Sequence, residues 1–71
     1  MLPKFKQNDY ITNGIEICKV LELSTPKHQN YRIYNLEIVN SVYGYGELIS
    51  TIDKTHTLIK NKQYLEYLYG L

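Results

Sequence analysis

The groups able to attack, ligate or shuttle protons are few: one thiol, Cys18, and two imidazoles, His28 and His56. A catalytic zinc takes three protein ligands and a structural zinc four, so these side chains would have to converge from distant parts of the chain to hold one. Cys18 lies between Ile17 and Lys19-Val20. In a strand-like run of that kind a free cysteine is a small buried hydrophobe rather than a nucleophile. His28, in a polar stretch after Pro26, and His56, near an expected turn, read as surface histidines. The seven carboxylates, Asp9, Glu16, Glu22, Glu37, Glu47, Asp53 and Glu66, are dispersed, and no two have a spacing that forces them onto one acid–base site. The glycine-rich phosphate loops and the G-x-S-x-G nucleophile elbow do not occur. These observations point away from an enzyme, a metal and a cofactor, and toward binding.

Tyrosine is the overused residue, with eight in 71. Tyr43-Gly44-Tyr45-Gly46 puts two rings on a segment with little steric hindrance between them, and Tyr offers a large contact area with only two χ angles to freeze. These rings suit a recognition loop, or equally a turn whose tyrosines cover the edge of a thin core. Tyr64, Tyr67, Leu68 and Leu71 recur at helical spacing, and Leu65 and Tyr69 fill other faces of the same turns. A helix apolar nearly all round is contacted from more than one side, so Tyr64 and Leu68 are expected to close the core while Tyr67 and Tyr69 face a partner. Arg32, the only arginine, is of a type that concentrates interface energy, and otherwise reads as a solvated strand residue. The partner-binding candidates are therefore Tyr43, Tyr45, Arg32, Tyr64, Tyr67 and Tyr69.

Nucleic acid is the competing partner. Lys4, Lys6, Lys54, Lys60 and Lys62 lie toward the two ends of the chain, and Tyr rings can stack on bases. A formal net charge of +1, with Glu47, Asp53 and Glu66 among those lysines, dilutes such a field and favours a protein partner or a second copy.

The elements that must position these residues are read from turns and periodicity. Asn13-Gly14 reads as a two-residue type I′ turn joining strands at 9–12 and 15–23. In the second of these, Ile15, Ile17, Leu21 and Leu23 share one parity, whereas Cys18 and Val20 sit on the other, which calls for a bulge or a strand passing between layers. Tyr34, Leu36 and Ile38 alternate with Asn35 and Glu37 in a third strand over 31–39. The segment 40–46 reads as a glycine-punctuated loop, 47–52 as a strand, and 55–59 as a shorter strand after a turn at Asp53-Lys54. Asn61 is an acceptable N-cap for the short C-terminal helix.

Phe5-Lys6-Gln7-Asn8-Asp9-Tyr10-Ile11 resembles the F-K-x-G-D-Y-I opening of small Src-homology-3-like β-barrels of phages and low-GC bacteria. The likeness covers roughly residues 4–39 and implies a fold, with no functional residue to transfer. Asn8 stands where that pattern has Gly, and Asn is the next most permissive residue for the left-handed region. The absence of Ala and the abundance of Ile, Asn, Lys and Tyr suit an AT-rich genome, such as that of a phage or mobile element in a low-GC bacterium.

The expectation is thus a mainly β single domain over 1–71: a small bent antiparallel sheet or Src-homology-3-like barrel of about five strands with a short C-terminal helix. A 44% apolar content is enough to fold, but a chain this short has a thin core, which leaves oligomerisation open. One cysteine, no apolar run of membrane-spanning length and no leader-like opening suggest a reduced, cytoplasmic protein that does not enter a membrane.

Overall fold

The computed structural model describes residues 2–25, 27, 30–39 and 41–68. Its elements are β1 (Tyr10–Thr12), β2 (Ile17–Ser24), β3 (Ile33–Ile38), β4 (Gly44–Leu48), α1 (Ile49–Thr55), β5 (Thr57–Leu58) and α2 (Lys62–Leu68). The strands pair antiparallel in the order β4-β3-β2-β1-β5, giving a five-stranded sheet that does not close. The fold is mainly β with a short C-terminal helix, as the residue pattern predicts, in its sheet form.

A turn at Asn8 leads into the sheet. Asn8 has φ +74°, the left-handed conformation expected where the resembling pattern has Gly. Its N–H donates to the Val20 carbonyl at 2.7 Å, and the Lys6 N–H donates to Asp9 Oδ2 at 2.9 Å. The β1–β2 hairpin forms, but not by the two-residue turn. Thr12 pairs with Ile17, so residues 13–16 make the connection, and only Gly14 has a positive φ, +91°. Asn13 turns its side chain forward instead: Oδ1 accepts from the Ile15 and Glu16 N–H groups, both at 3.0 Å. This local Asx capture replaces the left-handed backbone that a type I′ turn would need.

The parity of β2 is inverted relative to the sequence reading. Cys18 and Val20 are buried, Ile15 and Leu21 are exposed, and a register shift between Val20 and Glu22 leaves Leu21 unpaired. That bulge switches the face, so Leu23 rejoins the core beyond it. In β3, Tyr34 and Leu36 are fully buried, following the predicted alternation.

The segment read as a loop and then a strand is displaced by several residues. β4 begins at Gly44 and ends at Leu48, and 49–52 is helical. Gly44 belongs inside the strand because a Cβ there would lie 2.6 Å from the Leu36 carbonyl oxygen, so a close backbone approach sets this glycine. The Ile49 N–H donates to the Arg32 carbonyl. Beyond that bond no further β-ladder partner occurs among the described residues, and the chain satisfies its own backbone as α1. This turn carries Ile52 into the core.

The core is Phe5, Ile11, Cys18, Val20, Tyr34, Leu36 and Ile52, with Leu23, Ile38 and Ile49 packed against it. Asn61 caps α2 as expected, its Oδ1 accepting from the Gln63 N–H at 2.9 Å. The predicted core closure by α2 is not found: Tyr64 is 44% exposed, and no described side chain of α2 belongs to the core. The side chains of Tyr67 and Leu68, and residues Tyr69 and Leu71, lie outside the described residues.

Candidate interaction surface

β4 is one edge of the sheet, and its pairing with β3 fixes which backbone groups face outward. The Ile38 N–H donates to the Tyr43 carbonyl and the Ile49 N–H to the Arg32 carbonyl, so the bonded pairs are Ile38 with Tyr43, Leu36 with Tyr45, Tyr34 with Glu47, and Arg32 with Ile49. The alternate residues, Gly44, Gly46 and Leu48, therefore direct their N–H and C=O groups away from the sheet. The outward N–H of Leu48 donates to Glu47 Oε1 at 2.8 Å. Among the described residues, those of Gly44 and Gly46 have no partner.

Tyr43 and Tyr45 stand on this strand's core-side face. Tyr43 is 72% exposed. Tyr45 leans inward at the rim, where its hydroxyl donates to Glu16 Oε1 at 3.3 Å and lies 3.8 Å from Cys18 Sγ. Burial, then the neighbouring thiol and carboxylate, push the Tyr45 hydroxyl well above the usual phenol range. Cys18 is fully buried, and that burial pushes its thiol up, away from the thiolate.

Two hollows flank the far end of β4. One, of about 480 Å³, lies beside Gly46 and is lined by Tyr31, Ile33, Glu47 and Leu48. The other, of about 550 Å³, is lined by Leu2, Tyr31, Arg32, Leu48, Ile49 and Lys54, together with Asn30, Ser50 and Asp53. Tyr31 and Leu48 line both hollows, so the two form one continuous surface. A clamp holds Asp53 in place at its side. The Tyr34 hydroxyl donates to Asp53 Oδ1 at 2.7 Å and accepts from the Phe5 N–H at 3.0 Å, while the Lys4 N–H donates to Asp53 Oδ2 at 3.2 Å. Burial pushes Tyr34 up to about 12; the Phe5 N–H opposes that rise and the Asp53 carboxylate adds to it.

The predicted site residues do not converge. Tyr43 and Tyr45 mark one end of β4, Arg32 the other, and Tyr64 is on α2. The residue pattern does not single out Tyr31, Leu48 and Ile49, and it offers Lys54 only among the cations of the nucleic-acid alternative; they come together from the segment before β3, the end of β4 and α1. Their one sequence signal is the pair Tyr31-Arg32 itself.

His56 is not a surface histidine. It is 4% exposed, its Nδ1 lies 2.8 Å from Thr55 Oγ1, and its Nε2 has no partner among the described residues. Burial pushes the imidazole below its usual range, with Glu16 opposing that shift. His28 lies outside the described residues. Among the described residues no group of three His, Cys, Asp or Glu side chains is placed to hold a metal ion, and no helix is long and apolar enough to cross a membrane.

No protein-family model, curated protein or solved structure matches this chain.

Proposed function

We propose that this chain is a non-enzymatic protein-binding module, an accessory protein of a phage or mobile element that docks on a host regulatory or defence protein. The observation that carries this reading is the open edge of β4, with Tyr43 exposed beside Tyr45 at one end and the Tyr31, Arg32 and Leu48 surface at the other. Aromatic and arginine side chains beside an open sheet edge match the composition of interface cores. The buried Cys18, its thiol pushed up, supports a packing role for that residue. The left-handed Asn8 and the return of β5 to the side of β1 support the resemblance to small Src-homology-3-like barrels.

The test is capture from host lysate by the immobilised protein, compared with Tyr43→Ala and Tyr45→Ala variants whose fold is checked by circular dichroism. A discrete polypeptide held by the parent and lost by the Tyr43→Ala variant is the expected result. Retention on DNA or RNA that fades as salt rises, with no polypeptide held, would replace this reading with nucleic-acid binding.

A further inference from the structure

We propose that the free edge of β4 takes an added strand: an extended polypeptide segment that seats an apolar side chain on Ile33 beside Gly46 and a carboxylate beside Arg32 and Lys54. This deepens the protein-binding reading and rests on it.

The backbone supplies the first argument. An exposed edge strand is a template for pairing, and proteins ordinarily blunt such edges by making them short or by placing Lys, Pro or a bulge on them. β5, the other edge, has only Thr57 and Leu58. β4 is longer, and Gly44-Tyr45-Gly46-Glu47-Leu48 carries no Lys and no Pro and keeps an unbroken register with β3, Glu47 being its one charged residue. The outward groups of Gly44 and Gly46 are open, and neither residue has a side chain to obstruct a neighbouring strand. Glu47 closes the next outward N–H, that of Leu48, so pairing is confined to the glycine stretch.

Side-chain chemistry supplies the second. Beside Gly46 an open hollow is lined by Tyr31, Ile33, Glu47 and Leu48, and the Ile33 side chain reaches over Gly46, so an apolar group of an added strand would pack on Ile33 there. Beyond Leu48 the surface carries Arg32, opposite Ile49, and Lys54, which lines the same hollow. Both are exposed, and among the described residues neither makes an ion pair. The carboxylate in that hollow, Asp53, is already engaged by the Tyr34 hydroxyl and the Lys4 N–H. Hydrogen bonding leaves Asp53 its charge, but Arg32 and Lys54 outnumber it in that hollow while Glu47 lies at the neighbouring one, so cations are in excess at this end alone, where a carboxylate of the incoming segment would meet them.

The probe is a short synthetic peptide with a Thr-Ile-Thr-Ile-Thr centre and Asp-Glu at each end, which offers a carboxylate to the cations in either strand direction. Titration followed by amide chemical shifts should move Gly44 and Gly46. Arg32→Glu, a change at an exposed position that leaves the core untouched, should weaken binding by about tenfold or more. Peptides N-methylated through the centre, or with Lys in place of the acidic ends, should not bind. No binding at millimolar peptide, equal binding of either altered peptide, shifts confined to the tyrosines, or concentration-dependent self-association through this edge would overturn the proposal. If lysate capture still depends on Tyr43 while the peptide fails, strand addition is wrong and protein binding stands. If both fail, both readings fall.

Discussion

Tyr34→Phe removes one oxygen atom and should be among the most damaging single-atom changes available to this chain. Tyr34 is fully buried, and its hydroxyl joins three segments: it donates to Asp53 on α1 and accepts from the Phe5 N–H, while its own backbone belongs to β3. A hydrogen bond to a charged group contributes ~1.5–3 kcal/mol, and a buried N–H left without a partner costs ~1–3 kcal/mol. Phenylalanine recovers part of this as the more apolar ring, so a net loss of about 2–4 kcal/mol is expected. A chain of this length has a whole stability of roughly 4–11 kcal/mol at ~0.05–0.15 kcal/mol per residue, so the variant should sit near the threshold of folding. Urea denaturation followed by circular dichroism reads the change as a lower midpoint at unchanged slope. A second readout comes from alkali. Tyr34 is held protonated up to about 12 in the fold, against 10.0 ordinarily, so above pH 10 the unfolded chain loses its proton first. Stability should then fall by about 1.4 kcal/mol per pH unit toward pH 12, and the variant should lack that component. A Tyr34→Phe protein within about 0.5 kcal/mol of the parent, with the same alkaline slope, would refute the clamp.

Acid should expose His56. Its imidazole is pushed below the usual 6.5, so as pH falls below that value the unfolded chain takes up the proton first and stability declines, by up to about 1.4 kcal/mol per unit, until the native ring titrates. His56→Gln should flatten this limb in the pH dependence of the urea midpoint, and an unchanged limb would contradict the assignment. Gly44→Ala should cost ~1–3 kcal/mol, because its methyl meets the Leu36 carbonyl, whereas Gly46→Ala meets only the flexible end of Ile33 and should cost less; equal losses of melting temperature would contradict this. Cys18 should stay unmodified by a thiol reagent in the native protein and react at the rate of unfolding, and immediate labelling would show an accessible thiol.

What the sequence made legible was local. Asn8 and Asn61 act as turn and cap because their side chains and backbone decide this within a few residues. The β3 alternation survives because that strand is regular. In β2 the broken parity does signal the bulge that the register shift at Leu21 shows, but not which parity it turns inward, because that depends on what packs against the strand. Ile49–Ile52 has β-favouring residues but becomes helical because no further β-ladder partner occurs among the described residues and the core has a place for Ile52, both of which are tertiary facts. The surface follows the same division. Tyr43 could be found from its Gly-Tyr context, whereas the Tyr31, Leu48 and Lys54 surface depends on three segments meeting. The clamp beside it links Tyr34 to residues far away in sequence at Phe5 and Asp53.

The claim that β4 presents an open, functional edge is tested most directly by amide hydrogen exchange at single-residue resolution. In the free protein Gly44 and Gly46 should exchange much faster than Tyr45 and Glu47, whose N–H groups face β3, and saturation with the acidic strand peptide should protect both glycines. Glycine amides already protected in the free chain, or unchanged when the peptide is bound, would contradict it.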